Sequence, residues 1–332
     1  MSKKVLLIGG AGFIGMSILS ELVKKTGYRI TIGDNFFRGK MDSELTRLVE
    51  ENNIKIVSSD FTNPEAYTQL DDDYDYVYML ASIVGVEYTE KIPNELIRIN
   101  ASLILNTLEW LKNSHCKKVL FTSTSECYAG TIESFNYKVP TPEEVPLCIS
   151  DIMNPRFTYA VTKMFGESGF MQYSKVFGFD CTIVRYHNAY GPRMGFKHVI
   201  PQVVKRFLNN ENPFTIFGFD QTRAFNYIDD AVAGTIAAME NPKANGQIFH
   251  IGDMKSEISI EQLVFYIGDL IGYTGTYVTH EAPLGSVSRR CPDTGKAEQI
   301  LGYKPQTHWK EGVKKTVEWY VDYIKSGKLI FE

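Results

Sequence analysis

The sequence predicts an α/β fold, a doubly wound parallel sheet followed by a smaller, mixed α/β C-terminal region. Two observations carry this. Over roughly the first 190 of the 332 residues, short apolar runs of strand length alternate with longer stretches of helical spacing, the order that covers both faces of a parallel sheet. After about residue 190 that rhythm gives way to shorter, less regular segments.

Val5–Ile8 is an apolar run bounded by glycine and reads as a buried strand, and Phe13–Lys25 follows it with helical spacing. The second strand is Arg29–Ile32, ending at Gly33, Asp34 and Asn35, and Ile54–Val57 and Tyr76–Leu80 are the third and fourth. Glu95–Lys112 is a long amphipathic helix leading into the strand Lys118–Thr122. Asn154–Val176 reads as a helix and Asp180–Arg185 as the next strand, while residues 130–154, rich in proline and polar residues, read as a long loop. Beyond the turn Gly191, Pro192, Arg193, helices are expected near Val199–Leu208, Asp229–Met239, Ile260–Ile271 and Trp309–Ile324, and short strands at Phe214–Phe217 and Phe225–Ile228. These bounds divide the chain into a first domain over 1–189, which also takes in about 225–252, and a second mainly over 190–332.

Hydrophobic residues make up 44% and charged residues 22%, the balance of an ordinary globular enzyme. A formal net charge of −4 argues against a nucleic-acid partner and obliges a phosphate-bearing ligand to find a local basic pocket. No stretch approaches about 18 uninterrupted apolar residues, so no membrane span is expected. Gly9, Gly10, Gly12 and Gly15 break the apolar N-terminal run, which excludes an export signal from the reading. Cys116, Cys127, Cys148, Cys181 and Cys291 form no CxxC and leave an odd one over, pointing to a reducing, cytoplasmic location. The six histidines have no spacing with cysteine or carboxylate that makes a ligand set, and no metal is expected.

Gly9, Gly10, Ala11, Gly12, Phe13, Ile14 and Gly15 follow a strand and open a helix, the context in which a glycine pattern becomes a dinucleotide site. Gly9 permits the tight turn, Gly12 admits the pyrophosphate, Gly15 lets helix and strand pack closely, and the helix N-terminus faces the phosphate charge. Asp34 lies 19 residues beyond Gly15; a carboxylate there accepts from a ribose diol and repels a 2′-phosphate, so NAD is expected over NADP. Arg38 complicates this, since a guanidinium pairs with a 2′-phosphate.

Tyr159 and Lys163 are four residues apart, about one helical turn, and so share a helix face. An ammonium near a phenol favours phenolate, which makes a base for an alcohol proton near neutral pH. With the dinucleotide turn, this suggests redox chemistry on an alcohol.

These motifs in this order resemble the extended short-chain dehydrogenase/reductases, in the NAD-dependent nucleotide-sugar epimerase/dehydratase family, over nearly the whole chain. The glycine turn followed by Asp34 and Asn35 is similar to the family's NAD fingerprint. Asp60, followed by Phe61, resembles its adenine-contacting acid, Leu80 and Ala81 its strand end beside the cofactor, and Asn100 its supporting helix asparagine. Thr124, Tyr159 and Lys163 resemble its catalytic set. The resemblance implies a Rossmann-like domain, a nucleotide-diphosphate sugar held between it and the smaller domain, and a homodimer joined through a four-helix bundle that includes the Tyr159 helix. It implies oxidation of a sugar hydroxyl, usually at C4, with Tyr159 taking the proton and Lys163 lowering the phenol's pKa. Asn188, Arg223 and Arg290 match positions that hold the diphosphate, and Ser125 lies beside the sugar.

Glu126, in Thr124-Ser125-Glu126, bears on the reaction type. Thr-Ser-Glu resembles the GDP-mannose dehydratases and UDP-glucuronate decarboxylases, and a carboxylate there acts at C5 or C6 of a 4-keto sugar. Cys127 and His187 read as packed side chains. Epimerisation and dehydration lead, with decarboxylation or net 4-dehydrogenation of a UDP- or GDP-sugar as alternatives. An enzyme of this fold acting on a small non-nucleotide alcohol and a non-catalytic NAD-sensing interaction protein are the alternatives of another kind.

Overall fold

In the first strand, four consecutive residues, Val5, Leu6, Leu7 and Ile8, are fully buried. Both faces of such a strand must be covered, and that requirement organises the molecule. The computed structural model describes residues 2–282 and 287–327. The chain runs β1 (Lys3–Ile8), α1 (Phe13–Leu22), β2 (Tyr28–Asp34), α2 (Ser43–Asn52), β3 (Lys55–Ser58), β4 (Tyr76–Met79), α3 (Val86–Lys91), α4 (Pro93–Lys112), β5 (Lys118–Thr124), α5 (Ala129–Phe135), α6 (Thr158–Phe177) and β6 (Asp180–Tyr186). There follow α7 (Val199–Leu208), α8 (Ile228–Glu240), α9 (Ile260–Ile271), α10 (Gly295–Leu301) and α11 (Trp309–Lys325), with short strands between them.

A parallel seven-stranded sheet has the order Gln247–Ile251, β6, β5, β4, β1, β2, β3. It is an α/β, Rossmann-like sheet. On one face, Leu103, Ile104 and Leu108 of α4 and Phe170 of α6 pack with Leu6, Ile8 and Phe121. On the other, Ile18 and Leu19 of α1 and Val232 and Ile236 of α8 pack with Val5, Leu7 and Leu120. The strand order reverses between β1 and β4, and in such a sheet the crevice beyond the carboxyl ends at that point is where ligands bind. There the Leu80 and Ala81 amides both donate to the Ile8 carbonyl at 2.9 Å, tying the β4 end to the start of the glycine turn.

The smaller region packs α7, α9 and α11 together around stacked Phe207 and Phe214, whose ring centroids are 4.0 Å apart. A three-stranded sheet holds Thr222–Ala224 between Glu257–Ser259 and Arg289–Arg290. Its register sets Arg223 directly beside Arg290.

Three local expectations are corrected. Residues 130–154 are not a continuous loop, because α5 occupies Ala129–Phe135; so short a helix has little intrinsic stability and depends on packing, here Gly130 against the Cys148 carbonyl. The helix expected from Asn154 opens as a 3₁₀ turn, Pro155–Phe157, capped by the Asn154 side chain on the Arg156 amide, before α6 begins at Thr158. The strand expected at Phe225–Ile228 is confined to Asn226–Tyr227, and Ile228 already opens α8.

Candidate active site

A cavity of about 460 Å³ runs from the glycine turn past the ends of β4 and β5 to Arg290. Its first half is built for a dinucleotide. Gly9 has φ +87°, and a Cβ there would come within 2.6 Å of the Ala81 amide nitrogen; one on Gly15 would lie 2.5 Å from the Gly9 carbonyl oxygen. Side chains would therefore close the cradle. Gly12 precedes the first residue of α1, so free amides face the cavity. The buried Asp34 carboxylate accepts from the Ala11 amide at 2.9 Å and the Phe36 amide at 2.8 Å. Burial raises its pKa against those bonds. These residues fit NAD, with Asp34 in the cavity lining as an acidic acceptor at the end of β2.

Phe13, Ile14, Asn35, Asp60, Phe61, Leu80 and Ala81 also line this half. Asp60 is exposed and accepts from the Thr62 amide; Phe61 is buried beneath Gly33. Asn100 is placed differently. Its amide clamps the Ile83 backbone, accepting at 2.8 Å and donating at 3.1 Å, and donates to Thr162 of α6 at 3.3 Å. It therefore ties the β4 loop to the helix bearing Tyr159 and is absent from the described lining of the cavity.

Thr124, Ser125, Glu126, Tyr159 and Lys163 meet at the other half. The Lys163 ammonium donates to the Thr122 carbonyl at 2.8 Å and lies 5.7 Å from the Tyr159 ring centroid. The expectation that Lys163 brings the phenol's pKa down is not met here, since the Tyr159 shift is upward and Lys163 is not among its causes. Burial pushes Tyr159 up, opposed by a bond from Thr124 and the Arg38 charge, and burial pulls Lys163 down to about 8. Desolvation is the largest cause of both shifts.

Glu126 and Arg290 form a bidentate ion pair, Oε1–Nη1 at 2.7 Å and Oε2–Nη2 at 3.2 Å. Burial opposes ionisation of Glu126, but Arg290, helped by Arg156 and Arg223, holds it below the usual carboxylate range. Arg290 thus faces a carboxylate of this chain at the edge of the cavity. Arg223 donates to the Thr222 carbonyl at 2.7 Å and to Gln221 at 2.9 Å; burial and the Arg290 charge bring its pKa to about 10. Asn188 lines the cavity with φ +42° and donates to the Ala224 carbonyl. The sequence reading did not single out Arg156, although it stands three residues before Tyr159, on the same helical face if the turn continues.

Below the cavity lies a buried polar network. Glu167, one turn beyond Lys163, accepts from Ser123 and from Arg185, at 2.8 Å from Nε and 2.6 Å from Nη2. Arg185 donates to Tyr128, which meets His250 Nε2, while His250 Nδ1 faces the Asp293 carbonyl at 2.9 Å. The network fixes β5, bearing Thr124, against α6, bearing Tyr159. Cys127 is fully buried, and burial pushes its thiol up to about 12. His187 stacks on Tyr128 and meets His250 edge-on, with neither ring nitrogen bonded among the described residues.

Burial lowers the pKa of His250 to about 3, and lowers that of His187 well below its ordinary value. Below about pH 6.5 the unfolded chain takes up protons that these folded imidazoles refuse, so stability present above that pH is lost as pH falls. At pH 5.5 the two should together remove about 2–3 kcal/mol relative to pH 7.5, read from urea unfolding by tryptophan fluorescence. The half-buried His198, lowered to about 4 by desolvation, adds to the same dependence. His187→Phe should remove about 1–1.5 kcal/mol of it; an undiminished dependence would locate it in other groups.

The NAD dependent epimerase/dehydratase family matches residues 5–252. The chain belongs to that family. It is 34% identical to the UDP-N-acetyl-alpha-D-glucosaminuronate decarboxylase of Bacillus cytotoxicus, over 96% of this chain and 98% of the relative. It is 31% identical to the UDP-glucuronate 4-epimerase of Thermodesulfobacterium geofontis, over 98% and 99%. Among solved structures, the UDP-glucuronic acid 4-epimerase of Bacillus cereus in complex with UDP-glucuronic acid and NAD superposes with a TM-score of 0.82 at 27% identity, covering 96% of this chain and 99% of that one. Like its family, the protein is an NAD-dependent enzyme, and the glycine turn with Asp34 is the part of the chain that fits the cofactor.

Proposed function

We propose that the protein oxidises C4 of a UDP-hexuronate and releases carbon dioxide from the resulting 4-keto sugar. The observation that carries this reading is the Glu126–Arg290 pair, two residues beyond Thr124, with Arg156 and Arg223 acting on the same carboxylate. So much cationic charge suits a substrate bearing a carboxylate as well as a diphosphate. The likeness to decarboxylases and 4-epimerases of UDP-uronates points the same way.

Thr124 and Tyr159 receive the C4 hydroxyl, and Tyr159 takes its proton. NAD, when bound, supplies hydride acceptance and return. A 4-keto uronate is a β-keto acid, so the C5–C6 bond breaks with its electrons entering the C4 carbonyl, carbon dioxide leaves, and C5 is protonated. A substrate carboxylate drawn to Arg290 meets Glu126 on the same guanidinium. The repulsion between the two carboxylates is relieved when carbon dioxide departs. Reduction at C4 then takes the proton back from Tyr159.

The test is mass spectrometry of UDP-glucuronate, UDP-N-acetylglucosaminuronate and the neutral UDP-glucose after incubation with enzyme and NAD. Loss of carbon dioxide is expected. Unchanged mass with altered retention would mean 4-epimerisation, and loss of two hydrogens net dehydrogenation. Turnover of neutral UDP-hexoses alone would overturn the uronate reading.

The same reading includes a homodimer. Ile97 and Leu105 of α4 and Val161 and Phe165 of α6 are exposed apolar side chains on two helices that pack together. Their spacings of eight and four place each pair on one helix face. Light scattering should give a dimer, and Phe165→Glu a monomer of unchanged helical content; a wild-type monomer would exclude the bundle.

A further inference from the structure

We propose that Arg38 is a clamp on the pyrophosphate of the bound dinucleotide, closing the cofactor groove opposite the N-terminus of α1. Arg38 stands in the loop after β2, beside Gly39, which lies so close to the glycine turn that a Cβ would sit 2.3 Å from the Ala11 carbonyl oxygen. From that root the side chain lines the cavity and reaches the far lobe, where Nη2 would be 3.4 Å from a Cβ on Gly195. Its charge bears on Tyr159 and on His198. The guanidinium therefore addresses the middle of the cavity, between the adenosine end at Asp34 and the reacting end at Tyr159. A 2′-phosphate would sit at the Asp34 end.

Its cationic neighbours are already engaged. Arg193 pairs with Asp42 at 2.6 Å, and Lys197 pairs with Glu87 at 2.9 Å and lies over the Tyr88 ring. Among the described residues, Arg38 has no hydrogen-bond or ion-pair partner, and burial disfavours its charge. A partly buried guanidinium with five donors is stabilised by an anion that takes them in pairs. The pyrophosphate of NAD is that anion, held between the α1 amides on one side and Arg38 on the other. Because Arg38 spans from the glycine turn to Gly195, binding there also ties the two lobes together over the cofactor.

The inference rests on the family's use of NAD and not on the sugar reading. Purified full-length protein and its Arg38→Ala and Arg38→Lys variants would be titrated with NAD, ADP-ribose, NADP and UDP by calorimetry. In Arg38→Ala, affinity for NAD and ADP-ribose should fall by about 10- to 100-fold alike, with UDP unchanged. Arg38→Lys, which keeps the charge and loses the fork, should fall between and guards against a folding defect in the alanine variant. Unchanged NAD affinity overturns the clamp. So does a loss confined to UDP, which would assign Arg38 to the substrate diphosphate, or one confined to NADP, which would assign it to a 2′-phosphate.

Discussion

Tyr159→Phe is expected to lower the rate of C4 oxidation by about 10²- to 10⁴-fold while leaving NAD affinity nearly unchanged. The change removes one buried oxygen and keeps the ring, so packing between α6 and β5 survives. The dinucleotide half of the cavity is built from Gly9, Gly12, Gly15 and Asp34 and does not depend on the phenol. Burial holds Tyr159 toward its protonated form. The reactive phenolate fraction therefore grows as pH rises, and the wild-type rate should climb with pH until the phenol titrates. Tyr159→Phe should lose that limb of the profile. Single-turnover formation of NADH absorbance with UDP-glucuronate reads both effects. Wild-type rates in the variant would remove Tyr159 from the mechanism.

Glu126→Gln should separate the two halves of the reaction. Glutamine keeps the shape and one acceptor for Arg290 but removes the charge, so C4 oxidation should persist while carbon dioxide release falls by about 10²-fold or more. The 4-keto uronate and NADH would then accumulate in a burst. A stability loss of about 1–3 kcal/mol accompanies it, because the Arg290 guanidinium is largely buried and loses its counter-ion. Parallel measurement of NADH and carbon dioxide distinguishes the roles. Loss of both together would place Glu126 in the first hydride transfer instead.

Most of the sheet was legible because its strands are continuous apolar runs, as buried parallel strands must be, and Val5–Ile8 and Lys118–Thr122 fall within β1 and β5. Helix α2 was missed although Leu45, Leu48 and Val49 have helical spacing and Asp42 caps it on the Leu45 amide; it is polar elsewhere and buries only Leu45 and Leu48, with Val49 half-buried. The strand Gln247–Ile251 was not named because a five-residue edge strand carries little signal until β6 is beside it. In the site, the sequence brought Thr124, Tyr159 and Lys163 to one place in the fold. It did not bring Arg290 to Glu126, which the structure pairs at 2.7 Å.

The sequence by itself determined what neighbouring residues impose. A strand–glycine turn–helix and an i,i+4 pair are local geometry, and contiguous residues suffice to specify them. Only the tertiary structure decided which distant charges face each other. Glu126 and Arg290 are 164 positions apart, and Arg38 reaches Gly195 across the cavity. It also decided the direction of the Tyr159 and Lys163 shifts. Desolvation is summed over every atom that excludes water from a group, and no spacing within a helix contains that sum.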